Sequence, residues 1–253
     1  MTPVSVVVIT LNEEKNVRAA LESAKWADEI VVVDSFSTDA TLEICREYTG
    51  RVFQEKWRGF SGQKQYAVSL AKNDWVFVLD ADERFTPELT AEVEALMAAG
   101  PDKAGYFCPR RNHFGGKEIT HGGWYPDYSV RLFNRRKGEF GDRQVHEAVN
   151  LTGAAGYLKN PMLHFTYSGV SDYLERMLKY SRLAAEELGK KGRRATALDL
   201  LLRPPFTFFK MFVVKQGFRD GIDGLIIAML YSFYSFTKYA MLREMAERGA
   251  DNE

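Results

Sequence analysis

Cysteine is nearly missing from this 253-residue chain. Cys45 and Cys108 are too few for a disulfide framework or a zinc-finger pattern. Two isolated thiols fit a reducing cytoplasm. Net charge is missing as well: 34 Lys/Arg balance 34 Asp/Glu, so no global field draws the chain to nucleic acid. No Gly-x-Gly-x-x-Gly follows the first apolar run and no Gly-Lys-Ser/Thr loop occurs, which removes the usual dinucleotide and P-loop sites. The N-terminus enters an apolar run without a charged-then-apolar leader, so a secretory signal is not expected. Internal repeats and low-complexity segments are lacking too. The uncharged stretch 224–237, about 14 residues, falls short of the ~20 that a bilayer span needs.

Apolar residues make up 45% of the chain, enough for a substantial core. The length suits one large domain, or a domain with an appendage. Val4 to Thr10 is an almost continuous β-branched run, as expected of a strand covered on both faces in a parallel sheet. A helix follows to about Lys25, with Val17, Ala20, Leu21 and Ala24 on one stripe. Glu29 to Val33 repeats the strand pattern and ends at Asp34. The loop Ser35-Phe36-Ser37-Thr38-Asp39 opens a helix to about Tyr48. Arg51–Gln54 reads as a short strand, Ser61–Lys72 as a helix, and Val76–Leu79 as a buried strand. Thr86-Pro87-Glu88 starts a helix with a capping hydroxyl, proline at the first position and an early acid. This alternation predicts an α/β fold with a Rossmann-like, mainly parallel, doubly wound sheet over about residues 1–100. Residues 101–168 turn to short strands crowded with aromatics and arginines. From residue 169 onward the chain reads as a helical C-terminal extension: Ser171 and Asp172 cap a helix that stops at Gly189, and Pro204-Pro205 introduces two apolar segments.

Chemistry concentrates where the strands end. Asp80-Ala81-Asp82 follows the Trp75–Leu79 run, and in open α/β sheets the ligand crevice lies at the carboxyl ends of strands. Carboxylates at i and i+2 of an extended segment point the same way and can converge on one hard cation. Alone, Asp-x-Asp reads equally well as two solvated turn aspartates. Thr10-Leu11-Asn12-Glu13, Asp34 and Asp39 add further polar strand ends on the same edge, as a crevice for a nucleoside would need. A receiver domain also gathers aspartates at strand ends, but its paired acids follow the first strand, where Thr10-Leu11-Asn12 stands here.

Three blocks, Ser5–Glu13, Asp34-Ser35-Phe36-Ser37-Thr38-Asp39-Ala40-Thr41 and Asp80-Ala81-Asp82-Glu83, resemble in order and spacing those of family 2 glycosyltransferases with the GT-A fold. The resemblance covers about residues 4–165. Gly62-Gln63-Lys64-Gln65-Tyr66-Ala67, Gly123-Trp124-Tyr125-Pro126-Asp127 with Arg131-Leu132-Phe133, and Val145-His146-Glu147 are similar to the branch that includes bacterial lipopolysaccharide inner-core β-1,4-glucosyltransferases. The resemblance implies that Thr10, Asn12, Glu13, Asp34 and Asp39 hold the base and ribose of a UDP-sugar, and that Lys64 lies near the diphosphate. It implies that Asp80 faces ribose and metal, that Asp82 ligates Mg²⁺ or Mn²⁺, and that His164 completes the metal shell. A lone His in an aromatic strand equally reads as a core residue. An inverting transferase needs a carboxylate base near the acceptor hydroxyl. The usual Glu-Asp pair is altered here, leaving Glu147 first and Asp127 second. Trp124, Tyr125 and Arg131 are candidate acceptor contacts, with core packing as the alternative for the aromatics. The processive Gln-x-x-Arg-Trp signature is absent, which fits addition of a single sugar.

The basic stretch Arg176–Arg219 and the aromatics Phe206, Phe208, Phe209, Phe212 and Phe218 point to helices lying on the inner face of the cell membrane, where a lipid-linked saccharide acceptor would be. Against this stands a helical hairpin that packs on the sheet or on a second subunit. The reaction expected is transfer of a hexose, glucose first, to a lipopolysaccharide core heptose or similar acceptor. Two alternatives stay open: a polyprenyl-phosphate glycosyltransferase, and a non-catalytic sugar-nucleotide-binding protein.

Overall fold

The computed structural model describes residues 1–141 and 148–250. Strands and helices alternate at first: β1 (Val4–Thr10), α1 (Val17–Ser23), β2 (Glu29–Asp34), α2 (Thr41–Tyr48), β3 (Val52–Gln54), α3 (Gly59–Leu70) and β4 (Trp75–Asp80). A short β5 (Glu83–Arg84) and α4 (Pro87–Ala99) follow. The Thr86 hydroxyl accepts the Leu89 N–H at 3.1 Å, the cap its sequence announces. Beyond it lie β6 (Gly105–Phe114), β7 (Lys117–Glu118), β8 (Asp127–Asn134), β9 (Gly138–Phe140), β10 (Val149–Leu151), β11 (Ala155–Tyr157) and β12 (Met162–Tyr167).

The main sheet runs β3-β2-β1-β4-β8-β6-β12-β5. β1, β2, β3 and β4 are parallel, while β8 pairs antiparallel with β4 and β6 antiparallel with β8. Thr10 lies beside Asp34, and Ile9 beside Asp80, so three strand ends finish in one line. Both faces are covered. Val6, Val8, Phe77 and Leu79 pack against Leu21, Cys45, Leu89 and Val93, whereas Val7, Val31, Val33, Val76 and Val78 pack against Ala67 and Val68. Each fully buried side chain of this size contributes about 1.5–3 kcal/mol. Cys45 and Cys108 belong to the first of these clusters, and burial pushes both thiols up to about 12, so neither is a nucleophile.

Two compact units divide the chain: Met1–Arg111 with Asp127–His164, and Asn112–Pro126 with Phe165–Glu253. The segment Asn112–Pro126, which carries the end of β6 and β7 of the main sheet, groups with the second unit, whereas the sequence expectation set the boundary at residue 168. The second unit holds α5 (Val170–Lys190), α6 (Ala197–Phe209), a π-helical turn Lys210–Val214, a 3₁₀ turn Gly217–Asp220 and α7 (Gly221–Ala250).

Three expectations for this unit need correction. Ser171 and Asp172 lie inside α5 instead of capping it, and the helix passes Gly189; the Asp172 carboxylate accepts the Ser168 N–H from within the first turn. Pro204-Pro205 does not start a helix. Thr196 and Asp199 form a capping box that starts α6 earlier, and the two prolines ride inside it. Each proline withdraws an N–H donor, and the helix loosens into the π turn shortly after. Finally, the uncharged stretch 224–237, expected to fall short of a span, lies inside a longer helix that runs on past Lys238. Its ammonium lies over the rings of Tyr234 and Tyr239, at 5.3 and 4.9 Å, and α7 continues for 30 residues, ~45 Å. Among the described residues this is the one helix long and apolar enough to cross a membrane. Ile227, Ala228, Tyr239 and Leu242 pack it into the core of the unit.

Candidate active site

The β1 and β2 strands deliver two loops that knit together. Asn12 takes a left-handed conformation (φ 55°), donates its N–H to the Ser37 hydroxyl at 2.9 Å, and accepts the Thr38 N–H at 2.8 Å. The Glu13 N–H goes to the Thr41 hydroxyl at 2.7 Å, and the Asp39 carboxylate accepts the N–H groups of Glu14 (3.2 Å) and Thr41 (3.0 Å). Burial alone would raise the Asp39 pKa, but these hydrogen bonds hold it below the ordinary value. Asp34 does not face a ligand. It is fully enclosed and accepts from Thr10 Oγ1 (3.1 Å), Ser37 N (2.9 Å) and Gln54 Nε2 (3.3 Å). Its carboxylate shapes the loop that offers Ser37, Thr38 and Asp39. Thr10 is equally buried.

Phe36 is a residue that the sequence reading passed over. It sits in the same loop with φ 61° and its ring is 52% exposed. A left-handed phenylalanine is strained, and such outliers gather at functional sites. The signal was there in the capping-rich loop, where one large apolar side chain interrupts Ser, Ser, Thr and Asp.

At the end of β4 the two aspartates part company. Asp80 is held by two cations: Lys64 Nζ lies 2.8 Å from Oδ1 and an Arg131 nitrogen 2.9 Å from Oδ2. Burial alone would raise its pKa, but Lys64 and Arg131 outweigh it and hold the carboxyl well below the usual range. Asp80 was also expected in the metal set; each of its oxygens here has one cationic side-chain partner. Asp82 has a different neighbour. His164 Nε2 stands 3.6 Å from Asp82 Oδ2, brought there by the pairing of His164 in β12 with Glu83 in β5.

Beneath this turn lies a buried brace. Glu83 is fully buried, accepts the Asp80 N–H at 2.9 Å and pairs with Arg131. Arg110 reaches Glu83 at 3.6 Å and Asp127 at 2.7 Å from the opposing position on β6. Arg131, expected at the acceptor, is an internal counter-ion in this structure. It is 5% exposed and spent on Asp80 and Glu83. Trp124 is 6% exposed and packs against Phe114, Tyr167 and Tyr231 in the core of the second unit, as the core-packing alternative has it. Tyr125 remains 39% exposed. Glu147 and its neighbour His146 lie outside the described residues. The flanking strands β9 and β10 pair, and the Phe140 N–H donates to Gln65 at 2.9 Å on the helix that carries Lys64.

Can the donors present hold a hard divalent cation? Among the described residues no three His, Cys, Asp or Glu side chains cluster for one. Asp82 and His164 do offer a carboxylate oxygen and an imidazole nitrogen, both partly exposed. Mg²⁺ and Mn²⁺ sites of substrate-assisted type take one or two protein ligands and complete the shell with phosphate oxygens and water. The pair fits that type and not a closed protein cage.

Comparison with known proteins places the chain among glycosyltransferases. LpsC of Rhizobium meliloti (strain 1021), a lipopolysaccharide core biosynthesis glycosyltransferase, is 32% identical over 95% of this chain and 92% of its own. An uncharacterized glycosyltransferase of Rickettsia bellii is 28% identical over 96% of this chain and 87% of its own. Among solved structures, S. aureus TarS 1–349 in complex with UDP-GlcNAc covers 98% of this chain and 92% of its own, with 16% identity and a TM-score of 0.49. The family described as glycosyl transferase family 2 matches residues 5–158, which hold Thr10, Asp39, Lys64, Asp80 and Asp82, and the chain belongs to that family.

Proposed function

We propose that the chain moves a hexose, with glucose as the leading candidate, from a UDP-sugar to a hydroxyl of a lipopolysaccharide core heptose or a similar lipid-linked saccharide, with inversion. The observation that carries this reading is the division of labour at β4: Asp82 turned to His164, Asp80 clamped by Lys64 and Arg131. The name of the LpsC relative supports the acceptor class. Asn12, Glu13 and the Ser37–Asp39 loop would grip the nucleoside, and the exposed ring of Phe36 would cover one face of the base. Asp82 and His164 would hold the metal, which supplies positive charge against the departing diphosphate. Lys64 adds a second cation there. The acceptor oxygen forms its bond to the anomeric carbon as the bond to the diphosphate breaks. The diphosphate leaves with the electron pair, and the hydroxyl proton passes to a carboxylate, Glu147 before Asp127.

The helical unit gives the setting. Leu198, Leu201, Phe206, Phe209 and Ile222 are more than half exposed on and beside α6, and the segment carries Lys/Arg in excess. Exposed apolar patches of this kind mark contact surfaces, and the basic flanks favour the anionic inner face of the membrane over a second copy of this chain.

Thermal unfolding against a panel of nucleotide sugars, with and without Mn²⁺, tests the donor site. A ligand at a hundredfold excess over Kd stabilises by about 2.7 kcal/mol. One UDP-sugar should give such a shift in the wild type with Mn²⁺, and Asp82→Ala should lose it. Phe36→Ala should shrink the shift for every nucleotide alike. If Asp82→Ala keeps the whole metal-dependent shift, the assignment is wrong.

A further inference from the structure

The helical unit contains a cavity of about 390 Å³ with no carboxylate in its lining. Arg203, Lys210, Lys215 and Lys238 converge on it, with Trp124 and Tyr239. Asp199 neutralises Arg203 at 2.6 Å but is shared with Arg193 at 3.1 Å. Among the described residues Lys210, Lys215 and Lys238 have no carboxylate partner. Burial lowers the pKa of Lys238, and the nearby Arg203 lowers it further. Lys215 lies across Gly123, whose φ of +88° suits glycine: a Cβ on that residue would come within 2.7 Å of Lys215 Nζ. The Trp124 indole N–H is buried and has no hydrogen-bond partner. By contrast, the cavity of about 420 Å³ at the amino-terminal edge of the sheet has Asp28 and Glu29 in its lining and pairs two of its cations, Arg51 with Glu29 and Lys25 with Glu22.

Three lysines without a carboxylate partner, beside an arginine that shares its own, repel each other around one cavity unless an anion joins them. Here the donors are ammonium, guanidinium and indole N–H groups, which suit an oxyanion with several acceptor oxygens. Phe206 lines the same cavity and is 64% exposed; Leu202 and Phe209, one turn before and after on α6, are exposed as well. A charged pocket opening beside an apolar helix face matches an amphiphile whose head is anionic.

We infer that this cavity binds the phosphate of a membrane lipid or lipid-linked glycan, with Phe206 and its neighbours set against the apolar part. The inference rests on the membrane reading above and adds a selective site to it. Flotation of the full-length chain with phosphatidylcholine vesicles, with and without phosphatidylglycerol, separates the two. Binding should be at least tenfold tighter with phosphatidylglycerol. Lys210→Glu with Lys215→Glu should remove that preference, since each lysine near an anionic surface is worth about fivefold. Lys238→Gln alters the inside of the cavity and should weaken binding by a similar factor, with thermal unfolding and the nucleotide-sugar shift confirming an intact fold. Equal binding to both vesicles overturns the site but leaves apolar attachment standing. Loss on changing the surface lysines with no effect of Lys238→Gln means a diffuse basic surface, and also overturns it. Stabilisation by inorganic phosphate or glycerol 3-phosphate without vesicle selectivity assigns the pocket to a soluble phosphate and overturns the lipid source.

Discussion

Arg131→Met should cost the fold about 3–5 kcal/mol, because it leaves a fully buried carboxylate with only the more distant Arg110, 3.6 Å away, as a cationic partner. Glu83 is the group at risk. It is fully enclosed, and Arg131 is the cation that also reaches Asp80 at 2.9 Å. For a chain of this size each kcal/mol lowers Tm by about 2–4 °C, so a fall of roughly 6–20 °C is expected. Lysine at this position keeps the charge but loses the planar fork that serves two carboxylates at once, so Arg131→Lys should fall between wild type and Arg131→Met. Combining Arg131→Met with Glu83→Gln should recover part of the loss, since the stranded charge is gone. The same series should track donor binding, because Arg131 and Lys64 together fix the Asp80 carboxylate. A change below about 1 kcal/mol for Arg131→Met, measured by denaturant unfolding, would show that solvent reaches Glu83 after all.

This brace also marks the limit of what the sequence discloses. Strand ends were legible, because β-branched runs covered on both faces stop where polar residues begin, as at Thr10, Asp34 and Asp80. The α4 start was legible because Thr86-Pro87-Glu88 is a local signal. The partners of Asp80 were not: Arg131 lies 51 residues away and meets it only because β8 pairs with β4. Arg131 in an aromatic-rich segment therefore read as a ligand contact, when it is an internal counter-ion. Trp124 stayed open between acceptor contact and core packing, since a glycine-flanked tryptophan looks exposed until the helices that cover it are in place. Local charge and proline rules failed in α6 and α7, where tertiary packing overrides them. The aromatic rings of Tyr234 and Tyr239 accommodate Lys238, and Ser232 donates to the Pro204 carbonyl at 2.8 Å.

Which carboxylate takes the acceptor proton is decided by a pair of substitutions. Glu147→Gln should lower kcat by 10²–10⁴, the usual contribution of a positioned base, while leaving the nucleotide-sugar thermal shift intact. Asp127→Asn should do less. One oxygen of Asp127 already accepts from Arg110 at 2.7 Å, and Arg110 is itself anchored toward Glu83. Taking a proton there would break an ion pair that the sheet register holds in place. The asparagine variant should then show its effect mainly in stability, as Arg110 loses its charge partner. The hairpin of β9 and β10 flanks the Glu147 segment and is tied through Gln65 to the helix of Lys64. A base delivered from there would be sensed together with the diphosphate side of the site. If both variants transfer at the wild-type rate, the nucleophile needs no base. An acceptor that is already an anion, such as a polyprenyl phosphate, would then replace the sugar hydroxyl, and the phosphate-binding cavity of the helical unit would be the first place to look for its lipid. If Asp127→Asn proves the more damaging in kcat, the Arg110 pair must open during turnover, and Arg110→Ala should raise the activity of the otherwise intact enzyme.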